Sequence, residues 1–221
     1  MTKTDGVETL YPFLYGDGDG ADVAADLRRS TAEKALEIVA LRRALAGSHA
    51  EALAACAGRL AAAFRAGGRL LAFGNGGSST DAQSLARLFM SPPPPARPLP
   101  ALSLSQDVAA VTALSNDVGF EVALARQVAA LGRPGDVAVA LSTSGGSANV
   151  LNALAEASRR GLVTVGLAGY DGGEMARAQA VEHLFVVPSA SVHRIQEAQS
   201  TLVHVLWELV QRALEGGAAA C

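Results

Sequence analysis

Charge is scarce in this sequence. Only 18% of its residues are ionic, and Lys and Arg (18) nearly cancel Asp and Glu (21), leaving a formal charge of −3. A nucleic-acid binder needs a basic face to displace the counterions of its target, and this balance offers none, so no direct nucleic-acid partner is expected. The two cysteines, Cys56 and Cys221, have neither metal-type spacing nor a disulfide framework. Cys56 reads as a small buried apolar group and Cys221 as a frayed tail. Aromatics make up 5% of the chain, so a core must come from Ala, Val and Leu, which favours helix-helix and helix-sheet packing over a β-sandwich. Long apolar runs are missing and the start, Met1 to Gly6, is polar. Neither a membrane span nor a signal peptide is expected, and the protein reads as cytoplasmic with no membrane partner. What is present is length and apolarity: 221 residues, half of them hydrophobic, suffice for one domain with a sizeable core.

Leu10 to Gly20 (LYPFLYGDGDG) places aromatics before a Gly/Asp alternation, which reads as a docking arm and a flexible turn. The domain proper is expected over residues 21–217. From Ala21 to Leu45, Val23, Leu27, Ala35, Ile38, Val39 and Leu45 recur at helical spacing, and a second helical pattern runs from His49 to Arg65, ended by Gly67 and Gly68. Two N-terminal helices are therefore expected. Short apolar runs at Arg69–Phe73, Ala101–Ser105, Val137–Leu141, Val163–Leu167 and His183–Val187 then alternate with helical patterns. That alternation predicts an α/β fold, a three-layer sandwich around a five-stranded parallel sheet. Pro92–Pro95, with Pro98 and Pro100, forms an extended loop before the second strand. The final pattern, Ser191 to Leu214, predicts a helix of about 36 Å, long enough to meet a second subunit as well as the sheet.

Ligands of such sheets bind beyond the carboxyl ends of the strands. Two of those ends are rich in Gly, Ser and Thr. Phe73-Gly74-Asn75-Gly76-Gly77-Ser78-Ser79-Thr80 leads from a strand into a helix, and Leu141-Ser142-Thr143-Ser144-Gly145-Gly146-Ser147 does the same. Each run alone is a turn with a helix cap. Side by side, their hydroxyls and free amides make phosphate the natural guest. The first lacks the third glycine of a dinucleotide fingerprint, and neither has the Gly-Lys-Ser/Thr ending of a P-loop.

These two runs, together with SNDVGFE (Ser115–Glu121), GYDGGEM (Gly169–Met175) and VPSASVHRIQEAQ (Val187–Gln199), resemble the sugar isomerase (SIS) domain family, and within it the phosphoheptose isomerases. The resemblance spans about Ala21 to Leu214. It implies an aldose-ketose isomerase acting on a sugar phosphate such as sedoheptulose 7-phosphate, a homotetramer with sites between subunits, and a zinc ion as possible cofactor. By the same resemblance Ser142, Thr143, Ser144 and Ser147 hold the phosphate. Asn75, Gly76 and Ser78 belong to the sugar-side loop, Asp117 and Asp171 shape the pocket, and Gln196 touches substrate. Gln196 and His204 match a Gln and a His that can share the metal, and His204 also matches the acid/base. Eight residues on one helix separate that pair by about 80° and 12 Å, so a shared metal asks for different subunits or a long reach.

The departure lies on the helix after the first loop. The isomerases carry a His and, one turn later, the Glu that takes the proton beside the carbonyl; here those places are Ser84 and Leu88. Asp81, Glu197 and His193 are the candidate substitutes, each with a structural alternative. Asp81 can complement a helix dipole, Glu197 can pair with Arg194, and His193 can face water. His204 can likewise be a hydrogen-bonded core histidine. Two functions remain open: an isomerase with an altered site, or a non-catalytic SIS module that senses a sugar phosphate or binds a protein, as the DnaA-binding initiator-associating protein of this family does.

Overall fold

The computed structural model describes residues 20–216. Five parallel strands, β1 (Leu70–Gly74), β2 (Ala101–Ser103), β3 (Val137–Ser142), β4 (Val163–Gly169) and β5 (His183–Val187), form one sheet in the order β2-β1-β3-β4-β5. The expected strands are all present: β5 coincides, the others differ by a residue or two at an end, and β2 ends at Ser103 rather than Ser105. β1, β3 and β4 are buried along their whole length, which is why they read as continuous apolar runs instead of alternating ones.

The helices are α1 (Gly20–Arg65), α2 (Gly77–Met90), α3 (Val108–Asp117), α4 (Phe120–Leu131), α5 (Ala148–Arg159) and α6 (Val192–Gly216), with a 3₁₀ turn at Gly173–Arg177. The expected pair of N-terminal helices is a single helix of 46 residues. Gly47 and Ser48 do not break it. A mid-helix glycine costs only about 1 kcal/mol, and buried Leu45, Leu53, Leu60 and Phe64 keep one apolar face continuous past it. Contacts divide the chain within this helix: residues through Ala40 belong to one unit, and those from Leu41 on to another that holds the sheet. The proposed aromatic arm, Tyr11–Tyr15, lies outside the described residues. Among the described residues no helix is long and apolar enough to cross a membrane.

Leu71, Phe73, Ala138 and Ala140 of the sheet pack with Leu124, Val128, Val150 and Leu154 of α4 and α5. On α1, His49 donates through Nε2 to the Val186 carbonyl (2.9 Å) and meets Phe185 edge-on, so it is a structural histidine. At the amino edge of the sheet, buried Asp136 accepts from the backbone N–H groups of Arg69 and Arg133, both at 3.0 Å. That carboxylate is spent on holding the β1 and β3 entries, far along the strands from the carboxyl edge. In register, Gly74 lies beside Leu141 and Ser142 beside Ala168. The loops leaving β1, β3 and β4 therefore emerge next to one another.

Candidate functional site at the carboxyl edge of the sheet

The first loop turns on Gly76, at φ 51°, a left-handed position that favours glycine. Gly77 begins α2, and a Cβ there would run into the Gln196 side chain on α6. The glycine thus allows the starts of α2 and α6 to touch. Ser78 is buried, and Asn75 is half-buried. Ser79 Oγ donates to Ser105 Oγ at 2.7 Å, which lies 3.1 Å from Ser103 Oγ, a hydroxyl chain that anchors the loop to the end of β2.

In the second loop Ser142 Oγ and Ser147 Oγ are 3.2 Å apart, and the backbone N–H groups of Gly145 and Gly146 donate to Ser142 Oγ and Ser144 Oγ. Thr143 is half-buried, and its carbonyl accepts from Gly169 N–H at 3.0 Å. Ser147 is the N-cap residue of α5, yet its hydroxyl caps nothing. The helix amides behind it stay available for an anion. Gly145 and Gly173 pack so closely that a Cβ on either would strike the other loop's backbone. This brings the Asp171 turn against the serine loop, although Asp171 itself is exposed and accepts from Gly173 N–H at 3.1 Å. Asp117 is placed apart. It ends α3, exposed, and among the described residues its carboxylate accepts from Asn116 and from none of the loop residues.

Beneath the loops α2 faces α6. A cavity of about 70 Å³ is lined by Asp81, Ser84, Leu85, Leu88, Leu141, Ser200, Val203 and His204. A second, polar cavity of about 420 Å³ is lined by Arg42, Asp81, His193, Gln196, Glu197 and Ser200. Asp81 and Ser200 belong to both. Gln196 Nε2 donates to Asp81 Oδ2 at 2.9 Å. Partial burial raises the Asp81 carboxyl above its ordinary range, opposed by that hydrogen bond. His204 bonds the Ser200 carbonyl through Nδ1 at 2.8 Å. A carbonyl only accepts, so Nδ1 carries the hydrogen and neutral His204 keeps its lone pair on Nε2.

Of the three candidate substitutes, Glu197 is exposed and paired with Arg194, and His193 is exposed at the rim of the polar cavity. Asp81 is the one that lies between Gln196 and His204. Within one chain Gln196 and His204 line two different cavities, which share Asp81 and Ser200. The sequence reading missed Asn149 and the Ser79–Ser105–Ser103 chain. Asn149, buried at the start of α5, forms two reciprocal amide bonds with Asn75, both at 2.8 Å. Its signal was only a polar residue at a position of the helix that faces the sheet.

The zinc implied by resemblance would lie among Ser84, Leu88, Gln196 and His204. Leu88 offers methyl groups where a carboxylate is needed, Ser84 a neutral hydroxyl, and the Gln196 amide is engaged by Asp81. One imidazole and the Asp81 carboxylate, itself bonded to the Gln196 amide, do not make the set of three or four N, S or carboxylate ligands that zinc takes. Among the described residues, no group of three His, Cys, Asp or Glu is placed to hold a metal. The residues do not fit the ion, and no metal site is assigned.

A doubly wound parallel sheet with two hydroxyl-rich loops at neighbouring strand ends defines a ligand-binding α/β protein whose crevice lies at its carboxyl edge. Residues 35–169 match the SIS domain. The chain belongs to the SIS domain family. It is similar to the phosphoheptose isomerase of Aquifex aeolicus, 43% identical over 83% of this chain and 92% of that one, and to that of Roseiflexus sp., 44% identical over 89% and 92%. Among solved structures, the phosphoheptose isomerase of Neisseria gonorrhoeae superimposes with a TM-score of 0.78 at 34% identity, over 84% of this chain and 99% of that one.

Proposed function

We propose that this chain is a phosphosugar isomerase of the phosphoheptose type, interconverting an aldose and a ketose phosphate such as sedoheptulose 7-phosphate without a metal. One observation carries the reading. Leu141, the residue before the serine loop, lines the same cavity as Asp81 and His204. A phosphate held by Ser142, Thr143, Ser144 and Ser147 would leave the sugar beside Asn75, Gly76 and Ser78, directed toward that cavity, with Gln196 and Asp171 bounding the pocket.

Isomerisation takes a proton from the carbon beside the carbonyl, passes through an enediol and returns the proton to the neighbouring carbon. Asp81, ionised, accepts the carbon-bound proton and gives it back. His204, through Nε2, exchanges protons with the sugar oxygens as the carbonyl moves. Positioned acid-base groups of this kind are worth about 10²–10⁴-fold in rate. Gln196 orients Asp81. The homotetramer expected by resemblance is part of this proposal. An apolar groove of about 320 Å³ between α1 and α6, lined by Leu45, Leu53, Leu202, Val205 and Leu209, supports a subunit contact there.

Leu88 favours a second reading, a SIS module that binds a sugar phosphate or a protein partner without converting anything. Incubation with sedoheptulose 7-phosphate in deuterated water separates the two. Deuterium incorporation at C2, abolished by His204→Ala, supports the isomerase. Binding without exchange supports the module, and neither binding nor exchange leaves the protein-partner form of it.

A further inference from the structure

Asn75 lies in the loop after β1 and Asn149 in the first turn of α5, and each amide gives one hydrogen bond to the other and receives one, both at 2.8 Å. The pairing survives if both amides are turned over, so it does not depend on how oxygen and nitrogen were assigned. Asn149 is 2% exposed, whereas Asn75 is half-buried. An amide has two donor hydrogens and two acceptor lone pairs. The pair uses one of each on Asn75 and leaves one of each for a ligand. Asn149 follows Ser147 by two residues on α5, and Ser147 meets Ser142 across the serine loop. The pair is therefore a strap from the start of α5 to the Gly-rich turn that carries Asn75.

We infer that Asn149 is a positioning residue: it fixes the Asn75 amide, and through it the sugar-side loop, in register with the phosphate loop. This rests on the proposal that the crevice holds a sugar phosphate. Asn149 touches no ligand itself. An aspartate in its place would accept but not donate, leaving the Asn75 oxygen against a carboxylate oxygen. An alanine would remove both bonds and leave the Asn75 amide without its partner.

The test is a double-mutant cycle of Asn75→Ala and Asn149→Ala, read with inorganic phosphate and with sedoheptulose 7-phosphate by calorimetric titration. Inorganic phosphate should bind all variants within about twofold, whereas the sugar phosphate should weaken by about tenfold in Asn149→Ala, equally in Asn75→Ala, and no further in the double variant. Asn149→Asp, which keeps the volume, should reproduce the loss and covers the case of an unfolded alanine variant. Equal weakening toward both ligands, additive losses, or wild-type affinity in both Asn149 variants would overturn the role. Hydrogen exchange provides the independent readout: amides of Gly76–Thr80 should exchange faster in Asn149→Asp than in the wild type. If the wild type binds no sugar phosphate, the functional reading fails, and the exchange result still decides Asn149, with unchanged protection refuting it.

Discussion

Gln196 on α6 and Asp81 on α2, 115 residues apart in sequence, are joined by a hydrogen bond of 2.9 Å from Nε2 to Oδ2. The bond sets the carboxylate between the two cavities and favours its ionised form, while burial opposes ionisation and dominates. Because the folded state holds this proton more tightly than the unfolded chain does, stability falls as pH rises from the ordinary carboxylate value through the raised one. Asp81→Asn removes that cost and keeps an acceptor for Gln196. The variant should be at least as stable as the wild type at neutral pH and indistinguishable from it below pH 3.8, the ordinary value. Isomerase turnover should drop by about 10²–10⁴-fold. Full deuterium exchange in Asp81→Asn would remove this residue from the chemistry.

Much of this geometry was legible in the chain, and the parts that were not share a cause. Fully buried parallel strands declare themselves as apolar runs ending in Gly or Ser, so β1, β3 and β4 and their loops could be read directly. The Arg194–Glu197 pair is local, three residues apart on one helix, and was read as such. Contacts set by tertiary packing left little trace. Gly47 looks like a stop but lies within one helix, because the buried face continues beyond it. Asn149 looks like a polar helix residue, and only the adjacency of β1 and β3 gives it a partner. Asp81 could have been a dipole-complementing acid until α6 placed Gln196 against it.

The missing ligands at Ser84 and Leu88 predict the metal content. Purified from a zinc-supplied host, the chain should carry less than about 0.1 zinc per subunit, since one imidazole and one carboxylate already engaged by Gln196 bind the ion weakly. Ser84→His with Leu88→Glu should raise that toward one. Stoichiometric zinc in the wild type, measured by plasma mass spectrometry, would show that another donor set exists.

Sugar phosphate binding should depend on the serine loop. At a hundredfold excess over Kd, a ligand of the folded state stabilises it by about 2.7 kcal/mol. Ser144→Ala combined with Ser147→Ala removes two of the loop's hydroxyls and should eliminate most of that gain in a thermal melt, while leaving the unliganded melting temperature nearly unchanged. An undiminished ligand shift would place the phosphate elsewhere.

The acid limb of stability should depend on Glu156, whose hydrogen bonds from Arg159 and Arg160 pull its carboxyl from 4.5 down to about 2. A lowered folded pKa means stabilisation that is complete above 4.5 and lost as pH falls toward 2. The arginines are partly or largely exposed, so solvent screening limits the loss in Glu156→Gln to about 1 kcal/mol at pH 7. Its stability should also be flatter than the wild type's through that window. Parallel acid-denaturation curves for the two proteins would contradict this.

Gly77 separates the integrity of the fold from that of the site. A Cβ at this position meets the tip of the Gln196 side chain, not backbone, so the neighbour can swing aside. Alanine also suits a helix better than glycine, by about 1 kcal/mol in an interior position. Gly77→Ala should therefore melt at or above the wild-type temperature, yet displace Gln196 from Asp81. If the Asp81–Gln196 bond matters for turnover, the variant loses activity while retaining phosphate affinity, because the serine loop is untouched. A matched melt with unchanged turnover would reduce Gln196 to packing, and a large loss of stability would mean that the α2–α6 contact is too rigid to yield.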